Sequence, residues 1–331
     1  MRWPAVRRSG HPGPLYHQVA REIERMALEA DLGDETPLPP EWSLVERFGV
    51  SRGTLRRALA ELEREGLLWR QAGRGTFVNP AARLRRVVWQ RLALVARPDS
   101  RFDLDFQHFI PDFEGSGRCT ERIRALPEYR SARTLFVAPD NNLEAFRALA
   151  LRDGKVLMVA THAIRRGFVL LDPRDVPPRH RELAATLDGL ERFATPLSLQ
   201  DLRSSSGLDL VVTGAAAVSR EGVHFGKGHG YLDLEWGLLR EVGLVGPGTP
   251  VVVSVHGCQV VRERVPHAPY DVTVDVIVTP EETWRCRPLL PKPPGIFWDR
   301  ISPDLLASVP YLSELARPGA RRRLRTGGGG G

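Results

Sequence analysis

Cysteine is scarce in this sequence, and long apolar runs are absent from it. The three cysteines among its 331 residues, Cys119, Cys258 and Cys286, lie far apart and in no paired spacing. We therefore expect buried thiols and neither a disulfide framework nor a zinc site. No apolar run approaches the ~20 residues that span a bilayer, and the opening MRWPAVRRSGHPGP has no apolar signal core. These absences predict a cytoplasmic protein with no membrane partner.

Lysine is also scarce, because 44 of the 47 basic residues are arginines. With 40 acidic residues the net charge is +7, which permits a polyanionic partner without requiring one. Hydrophobic residues make up 42% and charged residues 26%, which is typical of a globular chain and excludes wholesale disorder.

The length is about twice the ~150 residues of a typical domain. We expect domains over residues 1–80 and 81–316, and a disordered Arg- and Gly-rich tail over 317–331.

The first domain contains three helical patterns in succession. In residues 14–30, apolar side chains recur at three- and four-residue spacing, as on one face of a helix: Leu15, Val19, Ile23 and Met26. The segment EWSLVERF predicts a short second helix with Pro40 in its first turn and Gly49 at its end. Ser51 is a suitable N-cap for a third helix that runs to Gly66.

A β-hairpin is predicted directly after these helices. The segments LLWRQ and GTFV are short strands by composition, and the glycines of Ala72-Gly73-Arg74-Gly75 allow the positive φ that a tight turn needs. Three helices followed by such a hairpin indicate a winged helix-turn-helix.

The polar face of the third helix and the tip of the hairpin carry the candidate DNA-binding residues. A recognition helix presents its first turns to base edges in the major groove, and the arginine fork can meet guanine O6 and N7 together. The slim tip of the wing can reach the minor groove or the DNA backbone. The predicted contacts with double-stranded DNA are Arg52, Thr54, Arg56, Arg57, Arg74 and Gly75.

Residues 14–78 resemble the DNA-binding domain of GntR-type transcriptional regulators. PLYHQVAREIE, LPPEWSLVERFGVSRGTLRRALAELEREGLL and GRGTFV match that family in order and spacing. The resemblance implies that Arg52 and Arg56 contact bases and phosphates, that Thr54 contacts phosphate, and that Gly75 is the wing glycine. The family often has arginine two residues after LPP, where this chain has Trp42. Affinity or half-site preference is expected to differ accordingly.

The remaining three-quarters of the chain alternates apolar runs with helical segments. The runs are near-continuous, as in buried parallel strands: TLFVA, VLMVA, FVLLD, LDLVVTG, VVVSVH and VDVIVT. The helical candidates are RCTERIRAL, LEAFRALALRDG and YLDLEWGLLREVG, the second capped by Asp140 or Asn141. This alternation predicts a doubly wound α/β domain, in which ligands bind beyond the carboxyl ends of the strands.

A glycine-rich loop, residues 226–230, precedes the last of these helices. Alternate glycines let backbone N–H groups face an anion, the helix N-terminus adds partial positive charge, and Lys227 adds a full charge. A phosphate would fit there, although such turns also form for steric reasons alone. Asp233, one turn into the helix, would hold Mg²⁺ through water or merely stabilise the helix N-terminus.

Residues 84–316 resemble 5-formyltetrahydrofolate cyclo-ligase and the cyclo-ligase-like proteins related to it. The likeness is carried by LDLVVTGAAAVSREGVHFGKGHGYLDLEW and VVSVHGCQVVRERVPHAPYDVTVDVIVTPEE. That family closes the methenyl bridge of folate with ATP. The resemblance implies a nucleotide and Mg²⁺ region at Gly226, Lys227, Gly228, Gly230, Tyr231 and Asp233. Matches to the downstream motif are Gln259, Pro266, Asp271 and Asp275.

Departures from the cyclo-ligase pattern affect its charged positions. His224 replaces the first arginine, Leu232 the second tyrosine and Leu234 the last arginine of that pattern. These changes remove two permanent cations, which ordinarily stabilise transferring phosphate. Three upstream arginines could replace the family's N-terminal basic residues: Arg85, Arg86 and Arg91. No catalytic residue can be assigned.

The sequence therefore predicts a transcriptional regulator that is a homodimer and binds double-stranded DNA. Its second domain would sense a small-molecule effector, either a nucleotide or a folate-like metabolite, and a linker at residues 79–82 would transmit the effector state. Two alternatives stay open. In the first alternative, the chain is an ATP-dependent ligase with a DNA-binding appendage. In the second, it is a regulator whose second domain serves only dimerisation.

Overall fold

The chain divides into two compact units at the bond between Gln90 and Arg91. The structure, a computed structural model, describes residues 14–29, 36–64, 67–71, 73–99, 109–225, 230–262, 265, 267–288 and 290–316, apart from the side chains of residues 81, 82, 85 and 163.

The first unit contains three helices, a two-stranded antiparallel hairpin and most of a fourth helix, whose last two residues belong to the second unit. Their bounds are α1 Leu15–Glu29, α2 Glu41–Phe48, α3 Arg52–Arg64, β1 Leu68–Gln71, β2 Gly75–Val78 and α4 Pro80–Leu92. This arrangement is the predicted winged helix-turn-helix. Its core is formed by the predicted apolar faces, including Ile23, Leu55 and Leu59, which are almost completely buried.

The turn between α2 and α3 follows from its capping residues. Pro40 is the N-cap of α2 and therefore precedes the first turn, whereas the sequence placed it within that turn. Gly49 ends α2 in the left-handed region at φ 62°, which a side chain would disfavour. The Ser51 hydroxyl accepts a hydrogen bond from the Thr54 N–H at 3.1 Å, as predicted for the N-cap of α3.

The predicted linker at residues 79–82 includes the start of helix α4, which begins at Pro80, and its role in transmitting an effector state stays a prediction. Proline is suited to a first helical turn, where its missing N–H removes no hydrogen bond. Leu84, Val88 and Leu92 recur every four residues and are buried, so an apolar stripe supports this helix.

The second unit contains eleven strands and nine α-helices among the residues that the structure describes. The strands are β3 Thr134–Val137, β4 Val156–Ala160, β5 Phe168–Leu171, β6 Thr195–Pro196, β7 Leu210–Thr213, β8 Ala217–Ser219, β9 His224–Phe225, β10 Val251–Ser254, β11 Val260–Val261, β12 Val276–Val278 and β13 Thr283–Arg285. The helices are α5 Ser116–Ala125, α6 Pro127–Ser131, α7 Glu144–Arg152, α8 Arg181–Ala184, α9 Leu187–Phe193, α10 Leu199–Ser204, α11 Tyr231–Glu241, α12 Pro303–Ser308 and α13 Pro310–Leu315.

The main sheet of this unit has eight strands in the order β13-β12-β10-β7-β3-β4-β5-β6. The five strands from β12 to β4 are parallel to one another. In chain order these five are arranged 2-1-3-4-5, a doubly wound order that reverses between β3 and β7. The predicted fold class is thus confirmed, and the reversal defines where ligands are expected.

One predicted parallel strand has the opposite direction. The segment FVLLD forms β5, which pairs with β4 antiparallel. A strand that is buried on both faces has the same apolar run in either direction, so its sequence does not reveal its orientation. A smaller three-stranded sheet, β11-β8-β9, lies outside the main sheet.

All three cysteines lie among the described residues, and none of them forms a disulfide bond. The three cysteines are free; Cys119 is buried, and Cys258 and Cys286 are half-buried. Burial raises the pKa of these thiols to about 12, 11 and 12 respectively. Within the described part of the chain, no helix is both long and apolar enough to cross a membrane.

Candidate functional site

The leading turns of α3 present two exposed arginines that share one carboxylate. The side chains of Arg52 and Arg56 are 69% and 58% exposed. Glu41, the first residue of α2, places its Oε2 atom 3.5 Å from Arg52 Nε and 3.1 Å from Arg56 Nε. The helix-turn-helix thus holds both guanidinium groups near one point while leaving them open to a ligand.

Thr54 and Arg57, the other predicted contacts on α3, interact within the unit. The Thr54 hydroxyl lies 2.9 Å from the Ser51 hydroxyl. The Arg57 guanidinium lies over the Tyr16 ring of α1, with its carbon 3.9 Å from the ring centroid. Both side chains are therefore less available to a ligand than Arg52 and Arg56.

The wing places Arg74 between two glycines with positive φ. Gly73 and Gly75 have φ values of 75° and 121°. A Cβ atom at Gly75 would lie 3.2 Å from Cβ of Pro37, so a side chain would be strained there for two reasons. The Arg74 guanidinium donates to Gln71 Oε1 at 3.0 Å, which keeps it at the hairpin tip.

In the second unit, hydrogen bonds connect the two strands at which the sheet order reverses. The Asp140 carboxylate, beyond β3, accepts from the Gly214 N–H beyond β7 at 2.9 Å. The predicted cap of α7 at Asp140 or Asn141 is wrong, because Leu143 occupies the N-cap position of that helix. The Gly214 carbonyl in turn accepts from His224 Nε2 at 2.9 Å. Burial lowers the pKa of His224, so its imidazole is neutral.

The glycine loop is described only from its last residue onward. Gly226, Lys227 and Gly228 lie outside the described residues, as does Pro266 of the downstream motif. Gly230 has φ 63° and precedes α11, which begins at Tyr231 as predicted.

Asp233 binds a backbone segment rather than standing open at the helix N-terminus. Its Oδ1 accepts from the Val272 N–H at 2.7 Å. Burial, with a further contribution from Asp271, raises the pKa of Asp233 to about 7. The role of Asp233 as a water-mediated Mg²⁺ ligand therefore stays a prediction. Among the described residues, no group of three or more acidic, histidine or cysteine side chains could hold a metal.

The positions where the chain departs from the cyclo-ligase pattern are buried. Leu232 and Leu234 are each 8% exposed, as is His224. These side chains contribute to the core instead of supplying charge beside the loop. Of the upstream arginines, Arg86 forms an ion pair with Glu24 in the first unit, and the side chain of Arg85 lies outside the described residues.

The downstream motif residues hold backbone segments in place. Gln259 Oε1 accepts from the His256 N–H at 2.7 Å. Asp271 Oδ2 accepts from the Ala268 N–H at 2.6 Å. Asp275 Oδ2 accepts from the Val251 N–H at 2.7 Å and from Lys292 Nζ at 2.6 Å.

A cavity of about 450 Å³ lies at the carboxyl ends of β3 and β4. Its walls are mostly apolar, with a few polar groups among them. They include Phe109, Ile110, Pro139, Asp140, Asn141, Thr161, His162, Arg166, Val169, Leu187, Asp188, Leu190, Glu191 and Pro196. Sequence reasoning missed this cavity because distant segments line it. The one available signal was the position of residues 139–141 just after a parallel strand.

The buried Arg147 joins two walls of this cavity. This side chain of α7 is completely buried. Its Nη1 atom donates to the carbonyls of Ala138 and Asp140 at 2.8 and 3.0 Å. Its Nε atom donates to the Ala185 carbonyl, two residues before the wall formed by α9, at 2.8 Å. Arg147 thus fixes the loop after β3 against the α8–α9 segment.

Family models match two consecutive regions of the chain. Residues 15–78 match "Bacterial regulatory proteins, gntR family", and residues 79–280 match the 5-formyltetrahydrofolate cyclo-ligase family. The "HTH-type transcriptional repressor NagR" of Bacillus subtilis (strain 168) is 44% identical over 68 residues, which cover 20% of this chain and 28% of that protein.

The second region also has curated and structural relatives. The "Methenyltetrahydrofolate synthase domain-containing protein" of Bos taurus is 36% identical over 242 residues, 70% of this chain. The chain spans only about 60% of the length of such relatives. The solution structure of Aquifex aeolicus 5,10-methenyltetrahydrofolate synthetase is 18% identical, with a TM-score of 0.40, covering 62% of this chain and 93% of that one.

These matches agree with the two units of the structure, a winged helix and a doubly wound α/β sheet. Residues 15–78 are a gntR-type DNA-binding domain. The cyclo-ligase model covers more than half of the residues of this chain, so the chain belongs to the 5-formyltetrahydrofolate cyclo-ligase family.

Proposed function

We propose that the protein is a transcriptional regulator that binds specific double-stranded DNA and senses a nucleotide or a folate-like metabolite with its α/β unit. The observation that carries this proposal is the exposed Arg52–Arg56 pair at the start of α3, held by Glu41. Two guanidinium groups at the start of a recognition helix suit base readout, because each can bind guanine with two hydrogen bonds.

The other predicted DNA contacts are assigned to positioning on the backbone. Arg74 at the wing tip approaches the minor groove or a phosphate, and Gly75 supplies the sharp turn that places it there. Thr54 and Arg57 contact phosphate from the edge of the α3 surface. Such contacts fix the register of the protein and carry no sequence information themselves.

The metabolite is assigned to the second unit, where two features support binding. The first is the cavity at the carboxyl ends of β3 and β4, whose apolar walls and few polar groups suit a planar heterocycle. The second is the glycine loop, with Gly226, Lys227, Gly228, Gly230 and Tyr231 as the proposed phosphate-binding residues. If ATP binds there, it supplies a phosphoryl group, and the described residues add a neutral His224 rather than a cation.

The family membership favours a second candidate function, ATP-dependent cyclo-ligase activity. The buried Leu232 and Leu234 and the neutral His224 weigh against it, because charge stabilisation of transferring phosphate requires cations. We therefore expect slow or no turnover. Incubation with 5-formyltetrahydrofolate, ATP and Mg²⁺, followed by absorbance of the methenyl product, tests this expectation. Rapid product formation that is lost in Lys227→Ala would establish the enzyme instead.

The regulator is tested by fluorescence polarisation on DNA from upstream of its own reading frame, with and without ATP and reduced folates. If the protein is a homodimer, its operator should be a near-palindrome with half-sites about one helical turn apart. A ligand that weakens DNA binding must itself bind the DNA complex less tightly by the same factor. Equal ligand affinity with and without operator, measured by calorimetry, would exclude the sensor.

A pair of variants tests whether the cavity holds the effector. Leu187 lines the cavity and is only partly buried, so Leu187→Trp should fill the space at little cost in stability. Leu183 is 46% exposed and lies four residues earlier, outside the lining, so Leu183→Trp is the matched control. We expect only Leu187→Trp to abolish the response of DNA binding to the effector. A retained response in both variants would exclude the cavity.

A further inference from the structure

Trp42 is the most exposed aromatic side chain that the structure describes, at 68%. A lone exposed apolar residue is ordinary on a protein surface. Tryptophan differs because burying so large a ring is strongly favourable and because its indole N–H remains available as a donor. The position of Trp42 in the fold therefore decides what it can do.

Trp42 is the second residue of α2 and projects from a segment held between α3 and the wing. On one side, the neighbouring Glu41 carboxylate contacts Arg52 and Arg56 of α3. On the other side, the Leu38 N–H donates to the Thr76 carbonyl of strand β2 at 2.7 Å. Pro37 also forms a β-bridge with Phe77. The first turn of α2 thus lies between the two elements proposed to contact DNA.

We propose that Trp42 contacts the sugar-phosphate backbone of the bound duplex, with its ring against sugar and its indole N–H donating to a phosphate oxygen. The inference rests on the proposed DNA-binding function. The first helix of a helix-turn-helix crosses the DNA backbone, and the flanking Arg52 and Arg56 draw that polyanion to this surface. The contact is uncharged, so it adds affinity without releasing a counterion.

This uncharged contact has a distinctive signature in salt titrations. Trp42→Ala should weaken binding to operator and to scrambled DNA alike, by about 3- to 10-fold, as expected for one lost hydrogen bond and its apolar contact. The slope of log affinity against log salt concentration should stay at the wild-type value. Trp42→Arg should restore affinity at low salt and steepen that slope by about one.

The experiment measures polarisation on both duplexes at four salt concentrations for the full wild-type chain and for three variants, Trp42→Ala, Trp42→Arg and Trp42→Phe. Thermal melting checks folding, which the exposed position should leave unchanged. Trp42→Phe, which keeps a ring but lacks the N–H, should lose part of the affinity with no change in slope. If Trp42→Ala binds DNA as tightly as the wild type, or if its salt slope is flatter, the inference about Trp42 is overturned while the proposed DNA-binding function stands. Absence of DNA binding by the wild type overturns the proposed function as well.

Discussion

The two units of this protein use arginine in opposite ways. In the winged helix, Arg52 and Arg56 stay exposed and share one carboxylate, so their charge is available to a partner. In the α/β unit, Arg147 is fully buried and donates hydrogen bonds to three backbone carbonyls. Beside the glycine loop, the described positions where the family has arginine are neutral and buried. Within one chain, an exposed arginine pair is thus available for the proposed DNA recognition, while a buried arginine of the other unit holds backbone segments together.

The strongest test of this comparison is the removal of the buried guanidinium. Arg147→Met should reduce the free energy of unfolding by about 3–5 kcal/mol, because the carbonyls of Ala138, Asp140 and Ala185 lose their donors in the protein interior. Arg152→Met, in the same helix, should cost under about 1 kcal/mol, since its ion pair with Glu182 is exposed. Urea denaturation measures both. Equal losses would contradict a structural role for the buried arginine.

Substitutions of the exposed Arg52 and Arg56 should reduce DNA affinity and leave folding stability nearly unchanged. Arg52→Ala and Arg56→Ala should each weaken operator binding by about 1–3 kcal/mol while leaving stability nearly unchanged. Arg64→Ala is the matched control, because Arg64 is exposed in the last turn of the same helix. This variant should weaken binding to all duplexes only slightly. Polarisation titrations on operator and scrambled DNA give these values. Unchanged operator affinity in both variants would exclude α3 as the recognition helix.

The turn of the wing, which carries the exposed Arg74, can be tested at Gly75. Gly75→Ala should destabilise the first unit by about 1–2 kcal/mol, because φ of 121° disfavours a side chain and the new Cβ would lie 3.2 Å from Pro37. Gly53→Ala is the control, since Gly53 lies in α3 and its Cβ would meet only the Ser51 hydroxyl at 3.8 Å. Alanine there should be neutral or stabilising. Thermal melting distinguishes the two, and a stable Gly75→Ala protein would show that the turn tolerates a side chain.

A third use of arginine, a surface ion pair in the second unit, should have the smallest effect. The hydrogen bond from Arg285 lowers the pKa of Glu128 below its ordinary 4.5. Because the carboxyl pKa is lower in the folded state, the ion pair stabilises that state at pH values above the unfolded pKa. This contribution disappears as pH falls through the folded pKa. Arg285→Ala should therefore cost at most about 1 kcal/mol near neutral pH and nothing in strong acid. Melting curves across pH 2–7 measure the difference. A cost that grows toward low pH would contradict this assignment.

The success of sequence reasoning also differed between the two units. In the first, local signals determine local structure. Examples are the Ser51 cap, the left-handed Gly49 and the four- and three-residue spacing of buried leucines in α3. In the second, apolar runs located the central strands but not their direction, so β5 was misassigned. The two-residue strands β6, β9 and β11 are too short to give a periodic signal.

The candidate sites show the same division. Arg52 and Arg56 are four residues apart on one helix, so spacing alone predicted that they lie together. The cavity combines residues from Phe109 to Pro196, and no local pattern connects them. The partners of Asp233 and of Asp140 were equally hidden, because both accept from backbone groups far away in the chain.

The Asp140–Gly214–His224 chain of hydrogen bonds has a consequence for any pair of ligands. Asp140 lines the cavity, while His224 is two residues from the start of the glycine loop. A ligand that binds the Asp140 carboxylate competes with the Gly214 N–H, and the loosened Gly214 carbonyl then holds His224 less firmly. Occupants of the cavity and of the loop are thus expected to bind with cooperativity rather than independently. A saturation curve for one, measured at several fixed concentrations of the other, should shift along its concentration axis.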